Sequence, residues 1–316
     1  MNTIVDQILI LGILAVVGVI AFRFKILKED AKGVIEKIIF YISLPLLIVT
    51  KLSTLEFTDE ILRNAGLVIL FTYGIMFFQL FLGKLSARIF GLKKPQAVIH
   101  SLHYMFGNIV FLGFPLLDAL MPGGEALLYA ALYQLVLNTI LWSYGVIQLD
   151  PGNKQRGLGQ LKKLVNPNTI ALVLGLLMML LSLRFPPLLQ KAFSGLGSTT
   201  LYLAMLYIGI LLAQMKIKEV FKLSIFTFSF NKLILSPVIF LFFFHILIKY
   251  FAIPLNATAF TVLILESAMP AMTILVLLAK RFGADDSLAM KNFFVSTILS
   301  LISLPFILYL LQWVQT

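Results

Sequence analysis

Runs of about twenty predominantly apolar residues recur along the chain, separated by short polar stretches, and each run is long enough to cross ~30 Å of hydrocarbon as a helix. The pattern predicts ten spans, at about 5–24, 35–53, 64–83, 96–121, 125–147, 168–184, 195–214, 225–248, 257–280 and 290–312. Asp6 and the lack of a basic leader read residues 5–24 as a retained first span rather than a cleaved signal. Two runs carry helix breakers at their centres. They are Gly107–Leu117, with Gly107, Gly113 and Pro115, and Glu266–Thr273, with Pro270. A broken helix in lipid must find partners for its freed N–H and C=O groups, so it lines a cavity or is buried in protein.

The polar loop at about 149–166 falls near the midpoint and divides the chain into residues 1–150 and 151–316. Each half holds five predicted spans, with a proline-containing span in fourth place (Pro115, Pro270). An odd number of spans per half makes a duplicated half insert upside down, so the expected fold is all-α, with two inverted five-helix repeats and crossed broken helices in spans 4 and 9. Pro45 and Pro237, in spans 2 and 8, read as kinks.

Composition narrows the function. With 60% hydrophobic and 12% charged residues and a mean hydropathy of +1.00, this is a polytopic membrane protein. The net charge of +11 does not indicate nucleic acid. Nineteen of the 25 basic residues lie in alternate loops, against five in the others, with Lys232 inside the eighth span. The positive-inside rule then places both termini outside a plasma (inner) membrane. Tyr250, Tyr309 and Trp313 suit the interfaces. The absence of cysteine excludes disulfides and thiolate metal sites. His100, His103 and His245 have no carboxylate pattern beside them, so no metal centre or other cofactor is expected. There is no phosphate-binding Gly-x-x-x-x-Gly-Lys motif and no nucleophile motif, so the chain is not expected to be an enzyme.

The candidate chemistry gathers at the breaks. A half-helix beginning after Pro115, and another after Pro270, would present free N–H groups and a partial positive charge to an anion. Asn108, Gly113 and Pro115 are the first half of the predicted substrate site; Ser267, Pro270 and Thr273 are the second. Gln134 and Asn138, four apart, share a face of the fifth span, and Asn292, Ser296 and Ser300 form a stripe in the tenth. Glu266 is the sharpest single residue, because a mid-span carboxylate costs roughly 2.5–3.5 kcal/mol on insertion scales. Three roles are open to it: proton carrier, ligand for a cation such as Na⁺, or half of a buried ion pair with Lys232. His100 and His103 are placed at the cytoplasmic mouth of the fourth span, as interfacial histidines with ordinary polar neighbours or, as the second reading, a pH-sensing gate. Asp118 is left to solvent or a local hydroxyl.

Gly107-Asn108-Ile-Val-Phe-Leu-Gly113-Phe-Pro115-Leu-Leu, Asn166-Pro-Asn-Thr169 and Met269-Pro270 through Ala279-Lys280-Arg-Phe-Gly-Ala-Asp285 resemble the auxin efflux carrier family, with weaker support from Leu44-Pro-Leu-Leu47 and Ser236-Pro237. The family is related to plant PIN-type carriers and to bile acid/sodium symporters. The resemblance implies a scaffold of residues 1–55 and 167–217 and a mobile transport domain of 60–148 and 222–316. It further implies an elevator-type motion, a homodimer in the lipid bilayer, and small organic anions such as malate, malonate or lactate as substrates. Auxin-like acids are the plant case. A sodium-coupled carrier of the bile-acid type is the main alternative, and an anion channel ranks below it.

Overall fold

The computed structural model describes residues 2–149, 162–214 and 222–315. Lys154, Arg156, Lys216 and Lys218, and with them most of the central loop, lie outside the described residues. Every predicted span coincides with helix. The helices are α1 (Asn2–Arg23), α2 (Glu29–Leu52), α3 (Asp59–Ile89), α4 (Lys94–Met105), α5 (Ile109–Leu120), α6 (Glu125–Leu149), α7 (Pro167–Leu180), α8 (Pro187–Ala213), α9 (Leu223–Phe251), α10 (Ala257–Ser267), α11 (Thr273–Arg281) and α12 (Asp286–Gln315). Among the described residues six helices (α2, α3, α6, α8, α9 and α12) are long and apolar enough to cross a membrane; α5, α7, α10 and most of α1 are shorter apolar helices.

Pro45, Pro115 and Pro237 do not end their helices. Each follows a wide, π-type turn: Ile39–Ser43, Ile109–Gly113 and Asn231–Leu235. A proline cannot donate to the carbonyl four residues back, and its ring collides with that carbonyl. In all three cases that carbonyl (Tyr41, Phe111, Leu233) belongs to the wide turn, which moves it aside and lets the helix continue. This corrects the expectation for Pro115. The break in the fourth span lies at Phe106–Asn108, and Pro115 sits inside α5.

Asn166 explains the Asn-Pro-Asn-Thr motif. Its Oδ1 accepts from the N–H groups of Asn168 (3.0 Å) and Thr169 (3.2 Å), and Pro167 takes the first helical position, where no N–H is needed. Asn256 caps α10 likewise, through the Ala259 N–H at 2.8 Å.

The chain forms two compact units. The first comprises residues 1–66, 110–132 and 165–215. Here α1 packs along α8 and α2 packs on α7 and α8. Gly18 and Gly209 set the α1–α8 distance: a Cβ on Gly18 would lie 2.6 Å from the Leu206 carbonyl oxygen, and one on Gly209 would collide with the Ala15 carbonyl. Small residues allow such backbone approach where lipid gives helices little hydrophobic reason to associate. Asp118 is not left to solvent. Lys51 forms an ion pair with it at 2.7 Å and donates to the Pro122 carbonyl at 3.1 Å. Gly113 and Pro115 belong to this unit.

The second unit comprises residues 67–109, 133–164 and 216–316. In it α12 packs against α4, α9, α10 and α11. It holds both helix breaks and most of the polar side chains singled out from the sequence.

Candidate functional site

The site is built on two interruptions that repair each other. Helix α4 ends at Phe106, whose extended backbone turns the chain out of the helix, and α5 begins at Ile109. Helix α10 ends at Ser267 and α11 begins at Thr273. The freed backbone groups then pair across the gap. The Asn108 N–H donates to the Pro270 carbonyl at 2.8 Å, and the Met272 N–H donates to the Phe106 carbonyl at 3.2 Å. Gly107 and Ala271 form an isolated antiparallel bridge. The Ala271 N–H finds the Ser296 hydroxyl of α12 at 3.0 Å. Irregular backbone in an apolar surround is thereby satisfied within the protein, as it must be. Gly107 suits the close approach: a Cβ there would lie 3.0 Å from the Met269 Cβ.

The predicted residues of the second unit divide by their hydrogen bonding. Asn108 is buried, and its Nδ2 has no partner among the described residues; the same holds for the Thr273 hydroxyl at the first position of α11. The N-cap of α11, Met272, supplies no side-chain bond, so the helix end keeps donors to offer. Gln134 donates to the Asn138 Oδ1 at 3.3 Å and keeps a free Oε1. The Ser267 hydroxyl is engaged internally with the Ile264 carbonyl, 2.7 Å away. Pro270 contributes its carbonyl to the crossing. Asn292 and Ser296, from the stripe in the tenth span, reach the same region, whereas the Ser300 hydroxyl closes on the Thr297 carbonyl of its own helix.

Glu266 and Lys232 are both fully buried, and among the described residues no hydrogen bond joins them. Neither carboxyl oxygen of Glu266 has a hydrogen-bond partner among the described residues. The Lys232 ammonium instead donates to the Gln79 Oε1 at 2.9 Å and to the Tyr104 carbonyl at 2.8 Å. Gln79 passes the interaction on. Its Nε2 donates to the Ser267 carbonyl at 2.9 Å, the last turn of α10, and to the Ser236 hydroxyl at 3.1 Å. A positive charge is thus pinned behind the crossing, with its field reaching the partly negative C-terminal end of α10. Lys232 stands in the wide turn before Pro237, and such turns gather at functional positions.

Gln79, Tyr104 and Ser236 are the partners sequence reasoning missed. An amide near the middle of a 31-residue helix was the available signal for Gln79. The two histidines are also displaced from expectation. Both are wholly buried: His100 Nε2 lies 2.9 Å from the Ser86 hydroxyl, and His103 Nδ1 lies 3.4 Å from the Asn292 amide. The reason is that α4 is covered by α11, the end of α6 and α12, so a position two turns into it is already interior. Among the described residues no cluster of three or more His, Asp or Glu side chains is arranged to hold a metal ion.

Apolar side chains exposed along the helices, among them Ile13 and Val16 on α1, Phe242 and Ile246 on α9 and Ile302 on α12, face outward as lipid-contacting surfaces do, and this is a multi-pass membrane protein. A buried crossing of two interrupted helices with unpaired polar groups is the architecture of a transporter. The membrane transport protein family matches residues 3–160 and again 157–308, and the chain belongs to that family, the auxin efflux carriers that its motifs resemble. It is also 26% identical to an uncharacterized transporter of Methanocaldococcus jannaschii, across 94% of this chain and 95% of that one.

Proposed function

We propose that this protein is a secondary transporter of small organic anions, mono- or dicarboxylates of the size of malate, malonate or lactate. One observation carries the reading. At the buried crossing, the Asn108 amide and the Thr273 hydroxyl have no partner among the described residues, and they lie in one compact unit with the N-terminus of α11, whose N-cap supplies no side-chain bond. Unpaired buried donors and a helix N-terminus together suit a carboxylate. Gln134 and Asn138 bind further polar groups of the substrate. Glu266 carries the coupling ion, a proton or Na⁺, and no other cofactor is needed. In the same reading ten spans form two inverted repeats in the inner membrane, both termini outside, and a homodimer works by an elevator motion.

Uptake of labelled malate, malonate, lactate and an auxin-like acid into proteoliposomes tests this. Asn108→Ala should lower kcat/KM for the transported acid at least tenfold, about 1.4 kcal/mol. Unchanged transport by that variant would move the site elsewhere.

The second reading is a sodium-coupled carrier of the bile-acid type, favoured by the Glu266 carboxyl, which has no hydrogen-bond partner among the described residues. Sodium-dependent thermal stabilisation that disappears in Glu266→Gln supports it; no sodium effect leaves proton coupling or uniport.

A further inference from the structure

The transport reading does not use a cavity on the outward face of the second unit. A groove of about 600 Å³ lies between α9 and α12, walled by Phe226, Phe230 and Leu233 on one side and by Leu299, Ile302 and Phe306 on the other. Both helices depart from regular geometry here: α9 carries the wide turn Asn231–Leu235, and α12 carries Pro305 within it. Side-chain ridges interdigitate only while a helix keeps its regular rows, so close packing is interrupted and a space remains. Packed interiors leave few voids larger than a water molecule. This volume is instead in the range of sites that hold a whole molecule.

Where the groove opens and what it offers fix the occupant. Phe230, Phe306 and Ile302 are 54%, 44% and 74% exposed, part of the outward apolar surface, so the groove opens into lipid rather than water. Its walls offer no polar group. The Ser229 hydroxyl is spent on the Ile225 carbonyl at 2.9 Å, and Ser303 is 4% exposed, so its hydroxyl is covered. A polar group brought into the groove would go unpaired, so the occupant is hydrocarbon along the groove's length. That length also fits. By helical rise the lining from Phe226 to Ile234 covers about 12 Å of α9. Half of the ~30 Å hydrocarbon core, the reach of one leaflet's chains, is about 15 Å.

The mouth carries a charge of matching sign. Phe226 is one turn from Lys222, which is exposed, belongs to the basic loops, and stands at the N-cap of α9 with no side-chain bond to the helix. An ammonium beside a helix N-terminus attracts an anion such as a phosphate. A hydrocarbon chain joined to a phosphate at one end is a membrane phospholipid, and a net positive mouth favours an anionic headgroup over a zwitterionic one.

We propose that this groove binds one acyl chain of an anionic phospholipid from the basic-side leaflet, with the lipid phosphate against Lys222 and the first turn of α9. A bound chain also braces the wide turn from behind. Phe230, Leu233 and Ile234 line the groove, while Asn231 and Lys232 between them hold Tyr104: the Asn231 Nδ2 donates to its hydroxyl at 3.0 Å, and the Lys232 ammonium to its carbonyl at 2.8 Å. The site stands whatever the transported substrate is.

The test is photolabelling of the full-length protein in liposomes that contain a trace of phosphatidylglycerol with a diazirine on one acyl chain. Peptide mass spectrometry should place adducts on residues 226–234 and 299–306 at least fivefold above those on the exposed Ile13 and Val16 of α1, the control for ordinary lipid contact. Unlabelled phosphatidylglycerol should compete about fivefold better than phosphatidylcholine with the same chains, which is about 1 kcal/mol for one basic residue near the surface. Lys222→Gln should abolish that preference. Ile302→Trp, which fills the groove from an exposed position, should cut labelling there at least tenfold; Phe306→Ala, which removes a wall, serves if the tryptophan variant fails to fold. Added phosphatidylglycerol should raise the Tm of the wild type in detergent more than that of Ile302→Trp. Adducts spread evenly over the groove and α1 would overturn the site, and so would full labelling in both groove variants. Equal competition by the two lipids would overturn the phosphate contact at Lys222. An equal rise in Tm would overturn the brace. An unlabelled groove, with a change of oligomeric state in Ile302→Trp, would mean that a second copy of the chain occupies it instead.

Discussion

The Asn108 N–H donates to the Pro270 carbonyl across 2.8 Å, and at that bond two interrupted helices, one from each half of the chain, are tied together. Both residues were marked from the sequence as breakers or neighbours of a break. Their pairing means that neither interruption is a mere kink: each supplies the backbone partner that the other lost. The geometry around that bond supports several quantitative expectations.

Gly107 is held within van der Waals reach of Met269. Gly107→Ala places a methyl group 3.0 Å from the Met269 Cβ and 3.4 Å from its carbonyl oxygen. The crossing must spread, at about 1–3 kcal/mol. Gly74→Ala on α3 is the control, because a Cβ there meets nothing within 4 Å. It should stabilise by up to about 1 kcal/mol through helix propensity. Thermal melts of the two variants in one detergent check both signs.

Lys232 satisfies two buried acceptors. Lys232→Met strands the Gln79 Oε1 and the Tyr104 carbonyl, at about 1–3 kcal/mol for each. Adding Gln79→Leu removes one stranded acceptor, but it also frees the Ser267 carbonyl. The double variant should therefore recover only part of the loss. A double-mutant cycle on Tm, with the single Gln79→Leu included, reads the coupling directly.

The ion pair between Lys51 and Asp118 should matter far less, although at 2.7 Å it is the shorter contact. Its side chains are 27% and 20% exposed, so water and salt screen it. Asp118→Asn is expected to cost no more than about 1 kcal/mol, and less in high salt. A cost several times larger would mean that this pair is a structural lock.

Asn166→Ala removes both bonds that cap α7 and should lower stability by about 0.5–2 kcal/mol. Asn166→Asp retains the acceptor and should be close to neutral. The same pair of substitutions at Asn256, which caps α10 with one bond, should give a smaller difference.

The sequence by itself determined the helices, because the length of an apolar run and the bilayer's intolerance of open backbone leave no other element. It marked spans 4 and 9 as interrupted, because Gly107, Gly113 and Pro115 in the one and Pro270 in the other disfavour a continuous helix. It also marked Glu266 and Lys232, since a charge inside a span is conspicuous by composition alone. Tertiary structure decided the rest. Pro115 looked like the breaker, yet a wide turn absorbs it, and the chain leaves the helix earlier, at Phe106–Asn108, where the interruption in the ninth span supplies its backbone partners. Glu266 and Lys232 looked like each other's partners by charge. The ammonium is claimed instead by a glutamine 153 residues away and a carbonyl 128 residues away. His100 and His103 looked interfacial from their distance along the span, and three-dimensional packing buries them. Local pattern encodes where a backbone bends and which side chains are costly to bury. Which distant group meets that cost depends on how the helices pack, and no periodicity along the chain records it.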